Sequence, residues 1–275
     1  MTTSSKSVSV FHISISKIVE LGSIVCDKLI PVNQDWINIV MRSQQDKQTI
    51  TNHIDSPFTI ENFISQDELV LLTDYFKSSD NHTHKNTGPV TMNVTEPEFE
   101  QPLFKNILER LEPYIGRVRV FSSLYFYVER PHIIHNDDSF SYPVCYKGIN
   151  IPLEIEYVQE NTGWPNLVFY DQYYLEGPAK FFNGSDNVVT HYNKCVYEYS
   201  EVGNLSTTPI DNETRRKYLT HLKPEWLEGL SIDTITRWKP GDITVFDSVR
   251  LHSSNDFVRQ GIKSKLGLSI FTERR

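Results

Sequence analysis

The sequence predicts a mainly β fold, a β-sandwich or jelly roll with helices packed on one face. Three observations carry this. From Arg117 to the C-terminus, short runs rich in β-branched and aromatic residues recur about eight times. Gly-Pro, Asn-Gly and Lys-Pro-Gly-Asp turns separate many of these runs. Helical periodicity is confined to the segment before residue 117 and to one later insertion.

In chain order, residues 1–55 read as an N-terminal extension, in which VSVFHISIS alternates as a strand and 36–41 reads as a short helix. Residues 56–275 read as one domain, with a barrel core over about 117–272 and an insertion over about 200–230. Ser65 followed by Glu68 is a capping box, and Leu69, Leu72, Tyr75 and Phe76 then recur at helical spacing. Residues 78–98, rich in Asn, His, Thr and Pro, are expected to form a loop. A second helix is expected over Pro102–Ile115, with Leu103, Ile107, Leu108 and Leu111 on one face. Strands follow at RVRVFSSLYFYVER, CYKGINIPLEIEYV, NLVFYDQYYL, AKFFN, NVVTHYNKCVYEY, DTITRW, DITVFDS and KSKLGLSIFT. Helical segments at Asn212–Leu222 and Pro224–Leu230 interrupt them, and the stretch Asn204–Leu230 is expected to be a lid or cap over the barrel mouth.

Composition narrows the function classes. With 39% hydrophobic and 23% charged residues, the chain is an ordinary globular one with ample length for a core. The formal net charge of -8 argues against a general nucleic-acid binder, which needs basic surface. No apolar run approaches the roughly 20 residues needed to span a membrane. Cys26, Cys145 and Cys195 are far apart and suggest neither a disulfide framework nor a CxxC site, so a reducing cytoplasm is expected. Cys145 and Cys195 read as small buried hydrophobes.

The chemistry concentrates at His135-Asn136-Asp137. Positions i and i+2 of an extended chain point to one side, so an imidazole and a carboxylate can face one metal. His252, in WKPGDITVFDSVRLHSS, supplies a third ligand. Two His and one carboxylate on one face of an octahedral ion leave three positions open, as in non-haem Fe(II) oxygenases. A 2-oxo acid can fill two of them, and its far carboxylate then needs a cation. In Lys263–Phe271, Lys263, Lys265, Gly267 and Ser269 alternate with Leu266, Leu268 and Ile270. A strand face bearing Lys, Gly and Ser suits an anion better than a core. Tyr125, sharing one strand face with Tyr127, offers a phenolic donor.

Each signal has a blander reading. Asn136-Asp137-Asp138 is also turn chemistry, and a second HxD, His53-Ile54-Asp55, precedes every barrel strand and reads as accidental. Asp138 should face away from His135. His132 reads as part of the strand approach, His191 as a polar strand face and His221 as a surface-helix residue.

Taken together, HxD, a distant His within PGD…VFDS…H, and a basic residue followed by a small residue and a Ser resemble the Fe(II)/2-oxoglutarate-dependent oxygenase superfamily, nearest its prolyl-hydroxylase-like branch. The resemblance covers roughly residues 56–273. It implies a double-stranded β-helix, cupin-like in architecture, with iron held by His135, Asp137 and His252. It implies that Lys265 binds the distal carboxylate of 2-oxoglutarate, with Ser269 and Tyr125 as further binding residues. Strand parity does not separate Lys263 from Lys265, and Arg259 competes as well; the register relative to Gly267 and Ser269 favours Lys265. The implied activity consumes 2-oxoglutarate and O2, hydroxylates a C–H bond and releases succinate and CO2. Desaturation, ring closure and epimerisation use the same cofactors, whereas a carboxylate at position 137 argues against a halogenase. A small-molecule substrate such as an amino acid is expected, with a protein side chain or a non-enzymatic cupin-like binding module as alternatives. Neither a nucleic-acid nor a membrane partner is expected.

Overall fold

The computed structural model describes residues 50, 54–84, 89–138, 146–158, 163–175, 179–181, 194–195 and 202–274. The strand expected at VSVFHISIS, the helix expected at 36–41, His53, Cys26, Cys145, His191 and most of NVVTHYNKCVYEY lie outside them.

Two antiparallel sheets face each other, as in a jelly roll. The larger has seven strands in the order β1-β11-β5-β13-β4-β3-β2. These are β1 (Phe58–Ile60), β2 (Thr83–His84), β3 (Val90–Asn93), β4 (Val118–Val128), β5 (Lys147–Tyr157), β11 (Ile243–Asp247) and β13 (Ile262–Arg274). The smaller contains β10 (Ile232–Arg237), β6 (Asn166–Tyr174) and β12 (Arg250–Ser254) in that order, with β9 (Val202–Gly203) also paired to β6. A short parallel pair, β7 (Ala179–Lys180) and β8 (Lys194–Cys195), lies beside them.

Alternation divides the apolar residues among three layers. On the outer face of the large sheet, Tyr125, Ile149, Ile151, Leu266, Leu268 and Ile270 pack with the helices. Helix α1 (Gln66–Lys77) contributes Leu69, Leu72 and Phe76. It starts as expected: the Ser65 hydroxyl accepts from the Glu68 backbone N–H at 3.3 Å, and the Glu68 carboxylate accepts from the Ser65 N–H at 2.9 Å. Helix α3 spans Pro102–Ile115, with proline at its first position, where no N–H is needed. Its buried face is Phe104, Ile107, Leu111 and Ile115; Leu103 and Leu108 flank it, so the buried stripe is rotated from the expected one. Fully burying one such side chain is worth about 1.5–3 kcal/mol.

Between the sheets, Phe126, Val128, Leu167, Phe169, Trp238, Phe246, Phe257 and Ile262 form a second core. Asn150, Gly267 and Ser269 share this inner face, because each lies one position from an outward-facing aliphatic residue.

The third layer corrects one expectation. Leu219, Leu222, Leu227 and Leu230 of the insertion pack with Val168, Tyr170 and Tyr174 on the outer face of the small sheet. Helix α4 (Asn212–Tyr218) and a 3-10 turn at Pro224–Leu227 thus cover the back of that sheet. The apolar residues of the insertion are used on that buried face rather than over the barrel mouth. The expected loop at 78–98 also differs: it contains β2, β3 and a short helix α2 (Glu96–Phe99). Met92 of β3 is buried against the outer core, and that burial overrides the polar local composition.

Candidate metal centre

Two strands far apart in sequence bring the site together. His135 and His252 form an isolated antiparallel bridge. The His135 N–H donates to the His252 carbonyl at 2.9 Å, and the His252 N–H to the His135 carbonyl at 2.8 Å. This reciprocal pair sets the two rings side by side, with centroids 4.3 Å apart. A register shift between Arg250 and His252, where β12 pairs with β6, re-aims the strand at the ligand. His252 therefore lies within β12 itself.

Asp137 completes the group. Its N–H donates to the Ser248 carbonyl at 2.9 Å, tying it to the turn between β11 and β12. One carboxylate oxygen lies 3.7 Å from His135 Nε2 and the other 3.5 Å from His252 Nε2. Ligand atoms of all three residues lie within 4.8 Å of one another. No cation is needed to explain the rings' orientation. His135 Nδ1 donates to the Ile133 carbonyl at 2.8 Å and His252 Nδ1 to the Arg250 carbonyl at 3.1 Å. A carbonyl only accepts, so each Nδ1 carries a proton, which leaves Nε2, on the side of Asp137, as the ligand atom. Burial, with His252 and His132 beside it, holds the His135 imidazole well below its ordinary pKa, hence neutral. Burial raises the Asp137 carboxyl, and His252 opposes that shift.

The triad opens into a cavity of about 140 Å³. Of its lining residues, Lys265, Ser254 and Trp238 are buried, whereas Pro89, Thr91, Leu124 and Phe271 are half-buried. Lys265 is 3% exposed. Its ammonium donates to the Ser254 hydroxyl at 3.2 Å and sits 4.7 Å from the ring centres of both Trp238 and Phe257. No carboxylate of the described residues forms an ion pair with it. Burial lowers its pKa to about 7. Ser269 also lines the cavity and accepts from the Asn150 side chain at 3.2 Å, while Asn150 accepts from the Trp238 indole at 2.6 Å.

The remaining expected residues lie elsewhere. Lys263 was expected to share a face with Lys265. A register shift between Ile262 and Ser264 breaks the alternation, and Lys263 instead pairs with Glu156 at 2.6 Å on the surface. Tyr125 belongs to the outer face of β4, stacked on Tyr75 and Phe76 beneath the helices, so its hydroxyl does not reach the cavity. Arg259 donates to the Arg216 carbonyl at 3.3 Å on the exterior. His221 lies in the turn after α4, and its Nε2 donates to the His132 carbonyl at 3.3 Å. Asp55 of the second HxD accepts from Lys147 at 3.2 Å, and its N–H donates to Asp247 at 2.7 Å.

Sequence reasoning missed Asn150, Trp238, Ser254 and His132 as cavity residues. Asn150 carried a signal: a lone amide within the apolar run GINIPL. Trp238 adjoins the Lys-Pro-Gly-Asp turn, and its local sequence does not separate a cavity-lining indole from a packing one.

No family model and no curated protein matches the chain. Several solved structures align with it at low identity. The non-heme alpha ketoglutarate dependent epimerase SnoN from nogalamycin biosynthesis aligns with 11% identity and a TM-score of 0.45, over 82% of this chain and 84% of that one. A Pseudomonas putida prolyl-4-hydroxylase aligns with 11% identity and a TM-score of 0.44, over 82% and 96%. HygX from Streptomyces hygroscopicus, with nickel and 2-oxoglutarate bound, aligns with 9% identity and a TM-score of 0.42, over 84% and 87%.

Proposed function

We propose that the chain is an Fe(II)- and 2-oxoglutarate-dependent dioxygenase that hydroxylates a C–H bond of a small molecule. The reading rests on one observation. Two imidazoles and a carboxylate converge on a single point beside a cavity that also holds a buried ammonium lacking a carboxylate partner among the described residues.

The donor set fits the ion. His135 and His252 offer lone pairs in a fixed tautomer, and Asp137 offers the one carboxylate. Ferrous iron held there supplies open coordination positions for a 2-oxo acid and O2, and the redox capacity to hydroxylate carbon. In balance, 2-oxoglutarate, O2 and R–H give succinate, CO2 and R–OH. Lys265 meets the distal carboxylate and replaces an unfavourable buried charge with a paired one. Trp238 and Phe257 confine that ammonium, and Asn150 and Ser269 offer further polar contacts along the cavity. Phe169 and Phe246, with centroids 5.5 and 4.8 Å from the His252 ring, keep water from the rear of the ligands.

A cavity of about 140 Å³ suits one small dicarboxylate, since an apolar cavity of about 150 Å³ holds benzene. The substrate then enters over Pro89, Thr91, Leu124 and Phe271. These four are uncharged, so the entrance suits a substrate that is uncharged where it meets them.

Mn(II) binding followed by electron paramagnetic resonance, with and without 2-oxoglutarate, tests the centre. The wild-type protein should bind one Mn(II), with a spectrum altered by 2-oxoglutarate, and Asp137→Ala should bind none. With Fe(II), a succinate-release screen over amino acids, other neutral metabolites and peptides should identify the substrate class. Full Mn(II) binding by Asp137→Ala would defeat the reading.

A further inference from the structure

We infer that His132 is a second binding residue for the co-substrate, its imidazole N–H donating to a carboxylate oxygen of the 2-oxo acid lying between the triad and Lys265. This rests on the function proposed above. His132 stands three residues before His135, on the approach to the triad, and its main chain is fixed. Its carbonyl accepts from the Ser254 N–H at 3.2 Å and from His221 Nε2 at 3.3 Å. Ser254 is the residue that also accepts from Lys265, so His132 is tied to the same wall as the ammonium.

Its ring lines the cavity, 6.2 Å from the Phe126 ring and edge-on to His135, with centroids 5.6 Å apart at 88°. The rings of His135 and His252 each donate to a carbonyl two residues earlier. The His132 ring has no hydrogen-bond partner among the described residues. Half-buried on the cavity wall, this imidazole has its donor capacity left for a ligand. Here the free edge meets the cavity between two features that each need the same anion. The main-chain tie of His132 to Ser254, the residue that accepts from Lys265, assigns it to the co-substrate rather than to the substrate.

The test is calorimetric titration of 2-oxoglutarate into the Mn(II)-loaded full chain, with Mn(II) affinity measured separately. His132→Phe keeps a ring and removes the donor; its Kd for 2-oxoglutarate should rise about tenfold, about 1.4 kcal/mol, with Mn(II) affinity unchanged. His132→Gln restores a donor and should return Kd to within about threefold of wild type. Should the phenyl variant not fold, His132→Leu carries the same expectation. A Kd within about twofold of wild type in the phenyl or leucyl variant, or a glutamine variant as weak as they are, overturns the inference while leaving the proposed function standing. Failure of the wild-type protein to bind Mn(II) or 2-oxoglutarate overturns both.

Discussion

Replacing Lys265 by Met should make the protein more stable in acid while abolishing its hold on 2-oxoglutarate. Burial lowers the ammonium's pKa from an ordinary 10.5 to about 7. The unfolded chain therefore keeps this proton between pH 7 and 10.5 while the folded chain releases it, so folding gains stability as pH rises through that window. At about 1.4 kcal/mol per pH unit, charged Lys265 costs the folded state about 5 kcal/mol below pH 7. Met offsets part of this gain by losing the bond to Ser254, worth about 1 kcal/mol, and the attraction to two aromatic faces, about 1 kcal/mol each. The Ser254 hydroxyl still donates to the Asn255 carbonyl at 3.0 Å, so no donor is orphaned. The net expectation is a stabilisation of about 2 kcal/mol at pH 6, declining to zero or slightly below near pH 10. Urea denaturation of both proteins from pH 6 to 10 measures it, with 2-oxoglutarate titration as the functional arm. A variant destabilised as much at pH 6 as at pH 10 would refute the reasoning.

Other substitutions probe the surrounding structure. A Cβ on Gly267 would lie 2.6 Å from Phe126 Cζ and 2.8 Å from Trp238 Cζ2; Gly267→Ala should cost about 1–3 kcal/mol and weaken 2-oxoglutarate binding, and a neutral effect in denaturation would show that the rings shift freely. Tyr125→Phe removes a buried hydroxyl that has no hydrogen-bond partner among the described residues and should stabilise by about 1 kcal/mol with 2-oxoglutarate affinity unchanged; weaker binding would return Tyr125 to the cavity. Lys263→Ala breaks only a surface pair: its denaturation midpoint and its Kd should both match wild type, and a raised Kd would move the anchoring role from Lys265. Lys147→Met leaves Asp247, 2.9 Å from the ammonium, buried without its cation; a loss of about 3–5 kcal/mol is expected, and a loss under about 1 kcal/mol would show that the carboxyl simply takes up a proton.

Much of this was readable beforehand because it depends on short-range geometry. A capping box fixes where α1 starts, and a two-residue spacing on extended backbone places His135 and Asp137 on one side whatever the rest of the fold does. Lys265, Gly267 and Ser269 follow the same rule. Lys263 escapes it because one register shift inverts parity, and no residue type at 262–264 announces that shift. Tyr125 fails for another reason. Both faces of β4 are apolar, so alternation cannot say which one meets helices and which one meets the other sheet. The same ambiguity hid where the insertion packs, since its leucines would cover a barrel mouth or a sheet back equally well. Asn150 and Trp238 find each other across 88 positions, a separation that periodicity does not reach.

The acceptors that orient His135 and His252 are main-chain oxygens of residues two positions earlier, Ile133 and Arg250. No side-chain replacement at 133 or 250 can delete them. The aim of both rings is thus written into the path of the chain and shielded from most point mutations there. Such a centre can drift in almost every neighbouring residue and still present the same two nitrogens, and an incoming ion has only its own hydration shell to shed.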